Sequence, residues 1–185
     1  MDPLTLEQLA AVMPHQLRTR LADYLPPLQA ALDEAQVNTP ARVACFLAQI
    51  AHESGELRYW HELADGSAYE PPSHLSVRLG NTEPGDGPRF KGRGPIQLTG
   101  RANYRACGTA LGLDLEGDPD QAATPDVGFR TACWYWTTHH LNDKADAGDF
   151  AGITRAINGG LNGEAQREQY FSRAKAALGI VSSGV

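Results

Sequence analysis

Positive charge is in short supply: 16 lysines and arginines face 22 aspartates and glutamates, giving a formal net charge of −6, and no basic run exceeds two residues. A protein that lives on phosphate backbones needs a basic patch, so nucleic acid is excluded as a partner. Hydrophobic runs are short as well. No stretch approaches the roughly 18 uninterrupted apolar residues of a membrane span, and "MDPLTLEQLAAVMPHQ" has no basic segment followed by an apolar one. A chain made in the cytoplasm, without stable membrane insertion, is expected. Cysteine is limited to Cys45, Cys107 and Cys133, far apart and without CxxC spacing or the even count of a disulfide framework. Buried free thiols are expected. The six histidines include His52, His61 and the pair His139-His140, but "HESGE" is not HExxH and no set has zinc-ligand spacing. Neither metal nor cofactor is expected.

What is present fits one catalytic domain over residues 1–185, because 185 residues with 42% hydrophobic content suffice for one well-packed core. Most of it reads as helix. Thr5 and Gln8 form a capping-box pattern with Leu4 and Leu9 at the staple positions, predicting a helix from Leu6 to near Pro14. Leu17, Leu21 and Leu25 precede Pro26-Pro27, and Leu28, Ala31, Leu32 and Ala35 follow, which predicts two further helices. These N-terminal elements, 1–38, are expected to pack on the catalytic core. Thr39-Pro40 caps a helix whose buried stripe is Val43, Phe46, Leu47 and Ile50. Residues 65–95 hold most of the local Gly and Pro and read as loop with short strands, a candidate cleft wall. In "PIQLTG", an extended segment would set Gln97 and Thr99 on one face. Helices are predicted again over Arg101 to Leu111, from Thr124-Pro125 through "VGFRTACWYWTTHH", over "FAGITRAI", and after a capping Asn162 up to Gly179. The cluster Trp134, Tyr135 and Trp136 reads as core.

Glu53 poses the functional question. It lies seven residues beyond Phe46 and three beyond Ile50, close to their azimuth at about 100° per residue, so it points to the core side. Burial and the negative end of the helix dipole both favour a carboxyl that keeps its proton. A general acid needs that state to protonate a leaving oxygen. The alternative is a carboxylate that snorkels past the last turn or pairs with Arg58. Glycoside cleavage needs a second carboxylate, about 6.5 to 9.5 Å away for inversion or about 5 to 5.5 Å for retention. Glu56, Glu62, Asp65 and Glu70 are the nearby candidates. Glu62 is half a turn out of phase with Glu53 on a continuous helix, so convergence requires the helix to end between them, and Gly55 offers that break.

"AHESGEL" followed by "RFKGRGPIQLTGRANY" and "INGG" resembles the family 19 glycoside hydrolases, a chitinase-like group that includes many phage endolysins, over roughly Pro40 to Leu178. The opening "LTLEQLAAVMP" also resembles the start of phage lysins of this group. The resemblance implies a mainly α, lysozyme-like two-lobed fold with a small β or irregular region beside the substrate cleft, and an inverting attack on a β-1,4-linked N-acetylated sugar polymer. It implies Glu53 as the general acid. For the base it is divided between Glu62, where phage members place a functional glutamate, and Glu70, nearest the plant chitinase base. Phage members often read Tyr-Glu-Gly-Arg at this loop, and "YEPP" departs from that. Thr99 matches a residue that holds the nucleophilic water. Gln97, Asn103, Tyr104 and Asn158 are expected to contact sugar, with helix or turn capping an equal alternative for the two asparagines. Arg167 matches an arginine that orders the acidic residues by charge pairing. Asn162 stands where chitinases often carry a glutamate. His52 is expected to be a structural hydrogen-bonding residue beside the acid.

Chitin and peptidoglycan share the N-acetylglucosamine unit, so either suits these residues. Lack of a secretion signal, of a cysteine framework and of an appended chitin-binding module favours a monomeric endolysin cleaving between N-acetylmuramic acid and N-acetylglucosamine and lysing host cells. The alternatives are a chitinase, a contact-delivered antibacterial effector with the same chemistry, or a non-catalytic wall-binding module. The last would have replaced Glu53, Gln97 or Thr99, and all three are present.

Overall fold

The computed structural model describes residues 1–180, and among them are ten α-helices and no strand beyond isolated bridges. In chain order the helices are α1 (Leu6–Val12), α2 (Arg18–Glu34), α3 (Pro40–Glu53), α4 (His74–Leu79), α5 (Asp86–Arg89), α6 (Arg101–Leu111), α7 (Pro125–Thr138), α8 (Leu141–Asp146), α9 (Phe150–Asn158) and α10 (Glu164–Ala177). The chain divides into two compact units. The first combines Met1–Arg58 with the residues from Tyr135 onward, and the second is Tyr59–Trp134.

In the first unit, α3 is the central element. Every residue from Val43 to Ala51 is buried, as expected of a helix wrapped by others rather than laid on a surface. α1, α8, α9 and α10 pack around it, and Trp136 meets Phe46 edge-on with ring centroids 5.3 Å apart. Thr39 accepts from the Arg42 amide with Pro40 in the first turn. At the chain start the capping box is formed: Thr5 Oγ1 accepts from the Gln8 amide at 3.2 Å and Gln8 Oε1 from the Thr5 amide at 2.9 Å. Leu4 and Leu9 are buried beside it.

Three expectations are corrected here. Residues 18–34 form one helix, not two, with Pro26 and Pro27 inside it. Each proline removes one amide from the ladder. The carbonyls so freed, four residues earlier at Ala22 and Asp23, belong to exposed residues that water can reach, while Leu21, Tyr24, Leu28, Ala31 and Leu32 bury a stripe that runs through both halves. Helix α8 lies where no element was expected. α10 is not capped by Asn162: it starts after Gly163, whose φ of 73° is left-handed, and a Cβ there would run into the His52 ring.

The second unit is built on Phe90, Leu98, Tyr104, Cys107, Leu115 and Ala122, with Trp134 packed against them. Its Gly- and Pro-rich part is not simply loop. It contains α4, α5 and a 3-10 turn over Ser67–Tyr69, because polar groups close short helical turns there: Ser73 Oγ accepts from the Ser76 amide at 3.0 Å. "PIQLTG" is not extended. Arg93 and Leu98 exchange backbone hydrogen bonds of 3.1 and 2.8 Å around a turn over Gly94 to Gln97, and Gly94, at φ 81°, supplies the reversal. All three cysteines are buried and free.

Buried ions hold this unit together. Asp86, 2% exposed, pairs with Arg101 and accepts from the Thr82 and Glu83 amides at 2.9 and 3.0 Å. Arg101 also reaches Glu116 at 3.0 Å, and Arg105 reaches it at 2.6 Å. Burial raises the Asp86 carboxyl, but the Arg101 hydrogen bond and the two amides outweigh it and hold it below the ordinary value. Glu116 is drawn down to about 2, chiefly by Arg105.

A depressed carboxylate contributes stability above its unfolded value and loses it as pH falls through the folded one. The part of the unfolding free energy that Glu116 contributes should therefore stay level above pH 4.5, the ordinary glutamate value, and decline toward about 2. Urea titrations across that range check this. Asp86→Ala should cost about 1–3 kcal/mol at neutral pH, since it leaves Arg101 with Glu116 alone and takes the acceptor from the Thr82 and Glu83 amides.

Candidate active site

Arg167 organises the polar centre of the first unit. It is 1% exposed, and its guanidinium is a permanent charge with a planar fork of donors. Nη2 donates to Glu53, Nη1 to Gln49 Oε1, and Nε to the Asn162 carbonyl at 3.2 Å. Gln49, itself fully buried, donates through Nε2 to Thr154 Oγ1 at 2.9 Å. Asn158 Nδ2 donates to the same Asn162 carbonyl at 2.9 Å, so the ends of α3, α9 and α10 meet around one cation. Glu53 is the carboxylate that pairs with it, and its side chain keeps 22% exposure. It is thus not an isolated carboxyl in an apolar wall, nor is it paired with Arg58, which donates to the His15 carbonyl at 2.9 Å.

The chain reverses abruptly after this residue. α3 ends at Glu53, and Gly55, Glu56 and Leu57 all take left-handed φ values of 57°, 62° and 61°. Two non-glycine residues in that region are costly unless neighbours hold them. Ser54 Oγ accepts from the Leu57 amide at 2.7 Å. The Glu56 carboxylate accepts from the His15 amide at 2.7 Å and Tyr170 Oη at 2.9 Å, and lies 2.7 Å from the His15 ring. Burial pushes the Glu56 carboxyl up, and these hydrogen bonds more than reverse it. His52 is pushed down by burial and by the Arg167 charge. Its buried Nδ1 has no hydrogen-bond partner among the described residues.

Glu62 anchors the polar centre of the second unit. Its amide donates to the Gly92 carbonyl at 2.8 Å and its Oε2 accepts from the Gly92 amide at 2.9 Å. Oε1 accepts from Tyr69 Oη at 2.8 Å, and burial and this carboxylate raise the Tyr69 phenol to about 12. A Cβ at Gly92 would stand 3.2 Å from both Glu62 Oε2 and Thr99 Oγ1 and 2.5 Å from Gln97 Oε1. Three polar side chains therefore converge over a position that only glycine leaves open. Thr99 donates to the Gln97 carbonyl at 2.9 Å, and Gln97 donates to the Gly94 carbonyl at 2.8 Å.

Glu70 belongs elsewhere. Its two oxygens accept from the Gly85 amide and, at 2.8 Å, the Gly87 amide, fastening the start of α5. Pro71-Pro72 is a cis peptide bond. Tyr104, expected to contact sugar, is wholly buried; its hydroxyl donates to the Lys91 carbonyl at 2.8 Å and accepts from Arg93 at 3.0 Å. The correction is one of packing: the ring lies 5.5 Å from Phe90 in the core. Asn103 is exposed and donates to the Thr99 carbonyl at 2.7 Å.

Sequence reading missed Gln49, Thr154, Tyr69 and Gly92. Gln49 left a usable signal: it is a lone amide in the apolar run of α3, one helical step of four residues before Glu53, where a buried polar side chain needs a partner. Thr154 and Tyr69 left none.

The sequence profile of a glycoside hydrolase family described as chitinase class I matches residues 21–151. The chain belongs to glycoside hydrolase family 19. Among its relatives, a family 19 domain-containing protein of Haemophilus influenzae is 34% identical over 167 residues, 76% of this chain and 82% of that protein. An Arabidopsis thaliana endochitinase is 38% identical over 145 residues, 75% of this chain and 48% of that one. This family 19 chain thus spans about half the length of that plant relative. Its fold superposes on a bacterial family 19 chitinase with a TM-score of 0.78 at 27% identity, covering 100% of this chain and 98% of the other. For chitinase C of Streptomyces griseus the TM-score is 0.75 at 25% identity, with 98% and 78% covered. The mainly helical, lysozyme-like fold is that of the family.

Gln49→Leu should remove the neutral acceptor of Arg167 and the donor to Thr154. The expected cost is about 1–3 kcal/mol in chemical denaturation, because both partners stay buried and unsatisfied. An unchanged midpoint would show that Gln49 does not carry the network.

Proposed function

We propose that the chain is a glycosidase of the bacterial wall, hydrolysing β-1,4 bonds between N-acetylmuramic acid and N-acetylglucosamine with inversion. Glu53 gives its proton to the leaving glycosidic oxygen. Glu62 takes a proton from the attacking water, whose oxygen bonds to the anomeric carbon. Two lone pairs on each Glu62 oxygen leave room for that water beside the bonds from Tyr69 and Gly92. Thr99 orients the water, and Gln97 and Asn103 offer amide groups to acetamido substituents.

The observation that carries this reading is the gathering of Glu62, Gln97 and Thr99 around Gly92. It favours Glu62 over Glu70 as the base, since Glu62 shares the space over Gly92 with Gln97 and Thr99, whereas Glu70 is held on the Gly85 and Gly87 amides at the start of α5. The wall as substrate is supported by the lysin-like "LTLEQLAAVMP" and by free cysteines in place of a disulfide framework. Chitin is the second reading, favoured by relatives named endochitinases.

Mass spectrometry of fragments released from purified peptidoglycan and from chitin oligomers tests both. New reducing ends from peptidoglycan are expected with the wild type, and Glu53→Gln and Glu62→Gln should each slow their release about 100-fold or more. Glu70→Gln should keep most activity and lose stability. Release from chitin alone would overturn the wall assignment, and an active Glu62→Gln with an inactive Glu70→Gln would exchange the base.

A further inference from the structure

One groove in the second unit holds a charge that hydrolysis of a neutral polymer does not require. It encloses about 390 Å³ and is lined by Tyr69, Leu75, Arg78, Leu79, Thr99 and Asn103. α4 contributes Leu75, Arg78 and Leu79 from one wall. Buried Asn81 fixes that wall: its Nδ2 donates to the Tyr69 carbonyl at 2.9 Å and its Oδ1 accepts from the Arg101 amide at 2.8 Å. The groove is therefore tied to the same Tyr69 that donates to Glu62.

Arg78 differs from every other arginine of this unit. Arg93 and Arg101 meet Asp120 and Asp86, Arg105 meets Glu116, and Arg89 and Arg130 donate to backbone carbonyls. Arg78 is exposed, and its side chain makes no hydrogen bond or ion pair among the described residues. A guanidinium fork matches a carboxylate in two parallel hydrogen bonds. N-acetylglucosamine has hydroxyl and acetamido groups, which Thr99 and Asn103 can serve, and no anion. A muramoyl sugar differs by its lactyl ether, which carries a peptide bearing carboxylates and several methyl groups. Leu75 and Leu79 offer the methyl groups an apolar wall beside the cation. On a chain of net charge −6, an acidic substrate needs a local positive group to be accepted.

We infer that this groove reads the acidic lactyl-peptide substituent of a muramoyl unit, with Arg78 pairing with a stem carboxylate and Leu75 and Leu79 packing on its methyl groups. The inference rests on the hydrolase reading above and makes Arg78 a specificity residue rather than a catalytic one.

The test compares initial rates on native peptidoglycan and on the same material with its carboxyl groups amidated, for the wild type, Arg78→Gln and Arg78→Lys. Amidation should slow the wild type about 3- to 5-fold, the range of an exposed ion pair, with the change in KM. Arg78→Gln should be slower on native material by the same factor and indifferent to amidation, or faster on the amidated form as general repulsion is relieved. Arg78→Lys should retain part of the sensitivity. An Arg78→Gln variant that matches the wild type on native peptidoglycan, or responds to amidation as the wild type does, overturns the inference and leaves the hydrolase reading standing. A wild type that cuts chitin oligomers and neither form of peptidoglycan overturns both.

Discussion

The charge on Arg167 is the constraint to which the first unit is built. A guanidinium cannot shed its proton, and at 1% exposure it must be met by acceptors on every side. One carboxylate, one side-chain amide and one backbone carbonyl meet it, from α3 and from the segment before α10. Their convergence fixes the last turn of α3, the register of α10 and the close approach of Gly163 to His52. Glu53 is aimed by a rigid partner. A surface carboxylate would lose that orientation to rotamer freedom. Neutral Gln49 and the Asn162 carbonyl also keep the cation partnered while Glu53 carries the proton it will give, and the carboxylate left after transfer pairs with Arg167.

The second unit solves the same problem with less charge. Glu62 is placed by reciprocal bonds with Gly92 and by Tyr69, so its position follows from backbone geometry around a glycine. Arg93 and the Asp86–Arg101–Glu116 group hold the scaffold in which that glycine sits. Both candidate carboxylates are thus oriented by groups with little freedom of their own, the condition for precise placement of reacting atoms.

Local rules wrote themselves plainly into the sequence. The Thr5/Gln8 box, Thr39-Pro40 and the stripe of α3 all rest on neighbours within four residues, and each is present in the structure. Pro26-Pro27 misled because burial along α2 outweighs two missing amides, a tertiary effect that propensity cannot register. The turn at Gly94 was hidden by alternation in "PIQLTG", which an isolated bridge and an extended strand share. Partners distant in sequence were not derivable from periodicity: Arg167 stands 114 residues from Glu53, and only the family resemblance pointed to it. Glu62 and Glu70 were equal in the sequence, and their different surroundings, Gln97 and Thr99 beside Glu62 at Gly92 and the Gly85 and Gly87 amides on Glu70, come from contacts distant in the chain.

The central claim is that Arg167 acts through Glu53. A double-mutant cycle on polymer hydrolysis, with Arg167→Lys, Glu53→Gln and both together, measures it directly. The account predicts that Arg167→Lys slows the wild type strongly and adds nothing once Glu53 is glutamine. Effects that multiply in the double variant would show that the arginine serves the reaction by another route, and would contradict it.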